Sequence, residues 1–403
     1  MRKRKLLLLA IIFGSLFISS CAGGLGTAQN WPGVAADLEN GLVYLAYGSH
    51  VYFIDLETGR EVGRFPAEKD KRNFFAPPAL TGDGSQLIFG DSAGILYSLD
   101  ASQYRSEPNW TFPSNVTAGS GNGSNGNDST SNRYIAGSLI QGDRIFAPAL
   151  NGHLYALNQE GEQVWEFNQF NSDNSELWAS PAIDDDGVLY LPSMDHLIYA
   201  IDSNSGELLW KSAESLGGAI AGTPALNDQS ELFAGNLGSL MVRVDTSTGG
   251  GVSNGFPANG WIWSGPAYHE GILYYGDMTG AFYAVDTATG EQVWTFSVDG
   301  SQPGSGSSGI LEGISPQEKI GIAGTPLVVG EAVYFVSENS KFFALDRNNG
   351  VPLRGWPVEV SGNLYTGPVQ AGELILIAQV GTDDLLSAYD LEGKKIWSFR
   401  PLE

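Results

Sequence analysis

Cysteine is almost absent from this chain: of 403 residues only Cys21 is one. A single thiol excludes an internal disulfide, a cysteine-built zinc site and a Cys-x-x-Cys-His haem attachment. Basic residues are also scarce, 21 Lys and Arg against 45 Asp and Glu, a formal net charge of −24. That deficit argues against a nucleic-acid partner and against electrostatic binding of anionic head groups, both of which need a positive surface. Histidine occurs four times, at His50, His153, His196 and His269. Beyond residue 20 the chain has neither a long apolar run nor a sustained 3.6-residue apolar period, so helices are not expected there.

What is plentiful is a repeated segment: an apolar pair, Asp, turn residues, Gly, then an apolar-aromatic strand. Clear copies run from Tyr199 through Asp202 and Gly206 to Trp210, and from Tyr283 through Asp286 and Gly290 to Trp294. The marker residue recurs at Asp55, Asp100, Asn158, Asp202, Asp245, Asp286, Asp346 and Asp390, in steps of 41 to 45 residues with two longer steps of 58 and 60. A strand-rich period of this length is the mark of a β-propeller. Each unit reads as four short strands separated by Asp-Gly and Asn-Gly turns, which supply the positive φ of tight hairpins. In the fourth unit these strands lie near Ser180–Ile183, Val188–Leu191, His196–Ile201 and Glu207–Trp210. One such sheet cannot bury its faces alone, but eight packed around an axis cover both faces of each. The expected fold is all-β, an eight-bladed β-propeller of four-stranded antiparallel blades over residues 31–403. Eight complete blades are expected, with no strand exchanged between the ends of the ring.

The marker Asp accepts hydrogen bonds from backbone N–H groups of its own turn, and the Gly that follows takes positive φ. Trp110, Trp165, Trp210, Trp294 and Trp397 on the fourth strands are expected to pack between blades; Gly255-Phe256-Pro257 and Gly355-Trp356-Pro357 replace them in two units. The repeat has the form Ala-x-Asp-x-x-x-Gly-x-x-x-Trp, and in it the chain resembles the PQQ-like, quinoprotein-type propeller repeat family. The resemblance spans nearly the whole chain after residue 30. It implies the propeller fold and raises a quinone-dependent dehydrogenase as one candidate activity. Such enzymes hold the quinone with Ca²⁺ on carboxylate and amide side chains, and many carry a disulfide of adjacent cysteines against it. Cys21 alone cannot form that disulfide, and the acidic residues sit almost entirely in turns. No cofactor, no metal site and no catalytic residue is therefore expected, and the chain is read as a non-enzyme. His50, His153 and His196 occupy related turn positions that diverge around the ring, so they are expected on surface turns rather than in one metal site. Asp184-Asp185-Asp186-Gly187 lacks the spaced ligands and bidentate Glu of a calcium loop and reads as a hairpin turn. Gly249-Gly250-Gly251 opens no helix, which removes a phosphate-cradling loop.

Arg2-Lys3-Arg4-Lys5 followed by the short apolar stretch Leu6 to Ile18 reads as a secretory signal, since a membrane-spanning helix needs about 20 apolar residues. Ile18-Ser19-Ser20-Cys21 has the form of a bacterial lipobox, which makes Cys21 the expected lipidation site. Residues 1–20 are then the signal peptide and 21–30 a Gly-rich tether, whose nine residues after the cysteine span at most roughly 30 Å. Loss of the four basic residues Arg2 to Lys5 takes the net charge from −24 to −28. The expected location is extracytoplasmic: the outer membrane if the cell has one, otherwise the outer face of the cell membrane. The two long steps hold Gly/Ser/Asn-rich inserts at 114–132 and 299–314, which lack the apolar residues to fold by themselves. They follow the second and sixth units and are expected on one face of the ring, opposite each other. With its eight units and lipid anchor the chain resembles the members of the family that act as scaffolds in assembling membrane β-barrel proteins. The function expected from this is a lipid-anchored monomeric scaffold with protein partners at the cell envelope, a membrane β-barrel assembly protein among them. The alternative is a ligand-binding or sensory propeller for a small molecule, glycan or peptide.

Overall fold

The computed structural model describes residues 31–102, 107–114, 133–170, 175–212, 215–249, 255–300 and 320–401. The expected signal peptide, Cys21 and the expected tether lie outside these residues, as do nearly all positions of the two inserts. The described residues form eight four-stranded antiparallel sheets, each with its strands in chain order, and no helix. Blades 1 to 8 cover 33–65, 79–112, 139–167, 182–211, 225–257, 267–297, 327–359 and 369–399. Blade 4 shows the pattern: Ala182–Ile183, Val188–Pro192, Ile198–Asp202 and Leu208–Lys211. The second and third strands are buried on both faces, whereas the outermost ones alternate, as in the exposed-to-buried run of Gln163–Phe167.

The apolar core is divided into eight clusters, one in each wedge between neighbouring blades. Blades 1 and 2 meet through Tyr44, Phe53 and Phe65 against Phe89 and Tyr97. Blades 1 and 8 meet through Val43, Leu45 and Ile54 against Leu376, Leu386 and Trp397. Both of those terminal blades are built from contiguous chain, so among the described residues no strand is exchanged and the ring closes through side-chain contacts. Because each wedge removes mainly aliphatic and aromatic surface from water, apolar burial is the main force holding blade to blade.

The marker turns explain the repeat. Asp202 Oδ1 accepts the backbone N–H groups of Asn204 and Ser205 at 3.0 and 2.8 Å, and Gly206 takes φ 74°. A second constraint on that glycine comes from the preceding blade. Trp165 donates its indole N–H to the carbonyl oxygen of Ser203 at 3.1 Å, and its ring lies where a Cβ on Gly206 would come within 2.7 Å. The same clamp joins Trp110 to Gln159, Trp210 to Thr246, Trp294 to Arg347 and Trp397 to Leu56. The expected packing of these five tryptophans between blades is thus found, with the hydrogen bond as its specific form. Blade 1 has Gly63 in place of Trp, and the volume returns from the opposite strand: Phe53 pairs Gly63 where Ala200 pairs Trp210.

Candidate functional site

The connections between blades and the turns between second and third strands lie on one face of the ring, here called the loop face; the remaining turns, with the marker residues, form the turn face. On the turn face the marker carboxylates are committed to structure. The hydroxyl of Thr58 holds the Asp55 carboxyl below its ordinary range, and the backbone N–H groups of Ser205 and Thr289 do so for Asp202 and Asp286. Asp184 is the hairpin staple expected of it: Oδ1 accepts the N–H of Val188 at 2.8 Å and Oδ2 the hydroxyl of Tyr190 at 2.6 Å. Second-to-third-strand turns on the loop face use the same chemistry buried. Asp91 accepts the N–H groups of Ala93 and Ile95 and the hydroxyl of Tyr97, and burial raises its carboxyl above the usual range.

The histidines are dispersed around the ring. His153 pairs with Glu166 at 2.5 Å, His269 lies 3.7 Å from Glu270, and His196 takes a positive φ of 73° in its turn. His50 departs from the surface-turn expectation. It is buried, only 6% exposed, with Nδ1 3.2 Å from the Pro66 carbonyl oxygen, and burial, with Arg64 beside it, lowers its pKa to about 4. Among the described residues no group of three or more His, Cys, Asp or Glu can hold a metal ion.

Three tryptophans absent from the repeat motif do converge. Trp31, Trp178 and Trp263 each stand four residues before the first residue of their blade's innermost strand that pairs like Ala182, in blades 1, 4 and 6. Their rings meet edge-on or tilted, at centroid distances of 6.1 Å (Trp31–Trp178), 5.8 Å (Trp31–Trp263) and 5.9 Å (Trp178–Trp263). Side chains from blades so far apart in a ring can touch only at its axis, so the triad sits at the loop-face mouth of the central channel. Trp178 is fixed further by donating its indole N–H to Glu176 at 2.8 Å. The segments that lead into the innermost strands of neighbouring blades approach backbone to backbone: a Cβ on Gly222 would meet Gly265 N at 2.3 Å, and one on Gly324 would meet Gly367 N at 2.2 Å. Only residues without side chains permit that contact. The equivalence of the three tryptophans is visible in the sequence as a spacing: Trp31, Trp178 and Trp263 stand 24, 24 and 23 residues before the markers Asp55, Asp202 and Asp286.

The outer rim carries a second pattern. In blades 1, 3, 4, 6 and 8 the pairing of third and outermost strands slips by one residue just before the Trp position or its Gly63 substitute. The extra residue is always aliphatic and turned outward: Val62, Val164, Leu209, Val293 and Ile396, each 38 to 51% exposed. A bulge twists an edge strand and discourages indiscriminate pairing, yet these five edges keep an apolar residue in water. Geometrically, then, the described residues offer an apolar rim and an aromatic axial mouth.

Comparison with known proteins agrees with this architecture. A family model described as outer membrane protein assembly factor BamB matches residues 150–251, 194–312 and 238–353, together about half of the chain. The outer membrane protein assembly factor BamB of Yersinia pestis is 26% identical over 268 residues, 64% of this chain and 64% of that protein, so the match spans less than two thirds of the relative. A tetrathionate hydrolase of Acidithiobacillus ferrooxidans is 27% identical over 139 residues, 28% of each chain. Among solved structures, BamB from Moraxella catarrhalis superposes with a TM-score of 0.63 over 86% of this chain and 92% of its own, at 16% identity, a likeness of fold.

Proposed function

Because the chain belongs to the PQQ-like propeller family whose model is that of the assembly factor BamB, we propose that it is a non-enzymatic scaffold of the cell envelope, anchored by a lipid on Cys21 and serving the assembly of outer-membrane β-barrel proteins. The observation that carries the scaffold reading is the rim: five outermost strands each present an aliphatic side chain on a bulge beside unpaired backbone groups. Such edges suit contact with a protein partner, whose strands or apolar side chains cover them. The short match to a hydrolase covers 28% of the chain, and among the described residues no group of three or more His, Cys, Asp or Glu could hold a metal ion.

Photo-crosslinking from Leu209 and Val293 in intact cells, followed by purification under mild detergent, tests this. A crosslink to a membrane β-barrel assembly protein is expected; recovery of the uncrosslinked chain alone would count decisively against the scaffold. The axial tryptophans favour one second reading, a ligand-binding propeller. That reading requires the thermal midpoint to rise on adding a sugar, a quinone or Ca²⁺, since a ligand of the folded state stabilises it by mass action.

A further inference from the structure

Five blades share the tryptophan clamp, and in four of them the strands around it carry similar apolar residues. The residue paired with the tryptophan is Ala156, Ala200, Ala284 or Ala388, and the residue before the tryptophan is Val164, Leu209, Val293 or Ile396. In blades 4, 6 and 8 the residue paired with the marker aspartate is Val188, Ile272 or Leu374. Blade 2 breaks the pattern at all three positions: Ser98 pairs with Trp110, Asn109 precedes it, and Gln86 pairs with Asp100. The fold brings these three polar residues together. Ser98, wholly buried, donates its hydroxyl to Gln86 Oε1 at 2.6 Å, and Asn109 Nδ2 lies 3.5 Å from the same hydroxyl oxygen. That orients the Gln86 amide and leaves Gln86 Nε2 and Asn109 Oδ1 with no partner among the described residues. Strand pairing alone is met by the apolar residues that the other clamp blades use.

Gln86 and Asn109 line a cavity of about 490 Å³ on the turn face, in the wedge between blades 2 and 3. That volume lies within the roughly 300–1,000 Å³ of small-molecule sites. Trp110 and Asp100 line it from blade 2, and Glu160 from the marker turn of blade 3. Trp110 donates its indole N–H to the Gln159 carbonyl oxygen at 2.7 Å, so this wall is formed before any ligand arrives. We propose that the cavity binds a saccharide, a role independent of the scaffold and at a place distinct from the aliphatic edges and the axial mouth. Amide N–H groups, an amide oxygen and carboxylates surround it, and a sugar hydroxyl both donates and accepts hydrogen bonds. Trp110 adds apolar surface for the C–H groups of the ring. An anion is repelled by Asp100 and Glu160, and an apolar ligand leaves the two amides unpaired on burial.

Saturation-transfer NMR of glucose, N-acetylglucosamine, cellobiose, chitobiose and maltose tests the site on the full chain, in a detergent without a sugar head group. At least one of these is expected to bind with a dissociation constant in the millimolar range or tighter. Gln86→Val, Ser98→Ala and Asn109→Leu together give blade 2 the residues of blade 4. This triple variant is expected to keep the parent's thermal midpoint and to weaken binding about tenfold or more. Asn109→Leu by itself alters one exposed position, and its severalfold loss of affinity carries the comparison if the triple variant unfolds early. Failure of every sugar to bind the parent overturns the site. Equal affinity in the parent and in the variants overturns it too, because the sugar then binds elsewhere. Neither result touches the scaffold, whose partner docks at the aliphatic edges.

Discussion

Trp397 donates its indole N–H to the carbonyl oxygen of Leu56 at 2.9 Å, joining the outermost strand of blade 8 to the marker turn of blade 1. Among the described residues no strand crosses that junction, so this clamp and the apolar wedge around it close the ring. Truncation of a buried Trp costs about 3–5 kcal/mol. Trp397→Ala is expected to lower the unfolding free energy by about that amount in urea titration while the transition stays single, because a closed ring has no end from which to fray. A stability unchanged from the parent would mean that the junction is held by something else.

Gly59 faces Trp397 from the other side of the same clamp. Its φ is 69°, and an added Cβ would lie 2.5 Å from the indole ring. Gly59→Ala therefore combines the left-handed backbone penalty of about 1–2 kcal/mol with displacement of the ring. By contrast, Gly142→Ala has a φ of 56° and nothing within 4 Å of the new Cβ. The first substitution should cost clearly more than the second in thermal unfolding. Equal losses would show that the glycine serves only its backbone angle and that the Trp–Gly contact contributes nothing.

The acid response of the fold is expected to begin with His50. Its folded pKa of about 4 lies below the ordinary histidine value of 6.5, so the folded state binds fewer protons than the unfolded one between them. Stability from this group is fully present above pH 6.5 and declines as pH falls toward 4, by at most about 3 kcal/mol. The turn carboxylates Asp55, Asp202 and Asp286, whose pKa values are depressed below 3.8, lose their contribution only in still stronger acid. Urea midpoints measured at pH 7 and pH 5 should thus differ in the parent, and the difference should shrink in His50→Gln. The same difference in both proteins would assign the titration elsewhere.

The Asp-to-Gly turn could be read from residue types because its physics is local: a carboxylate, its own backbone N–H groups and one positive φ. Eight blades followed from its spacing. What the glycine also does for Trp165 or Trp397 was legible only in part, since sequence shows that a Trp follows and cannot show which carbonyl it meets. The axial triad was legible as a common spacing to the next marker, and not as a contact. Trp31 precedes the first blade while Trp178 and Trp263 lie in connections between blades, and only the folded ring brings the three together. His50 was misplaced for a similar reason: its turn is at the surface, but the chain after blade 1 folds back over it and brings the Pro66 carbonyl to its ring.

The bulges of the rim separate folding from function most cleanly. Leu209 and Val293 are 51 and 46% exposed and pack no wedge of the core, while the neighbouring Trp210 and Trp294 carry the contact to the next blade. Leu209→Lys with Val293→Lys changes surface alone, and such changes ordinarily stay within about 0.5 kcal/mol each. A lysine on an edge strand also resists pairing with another chain. The double variant is therefore expected to keep the parent's thermal midpoint and to lose the protein partner that co-purifies with the parent. Retention of the partner at parental yield would move the docking surface away from the rim, and a fall in midpoint of several degrees would show that these aliphatic residues were holding the blades together after all.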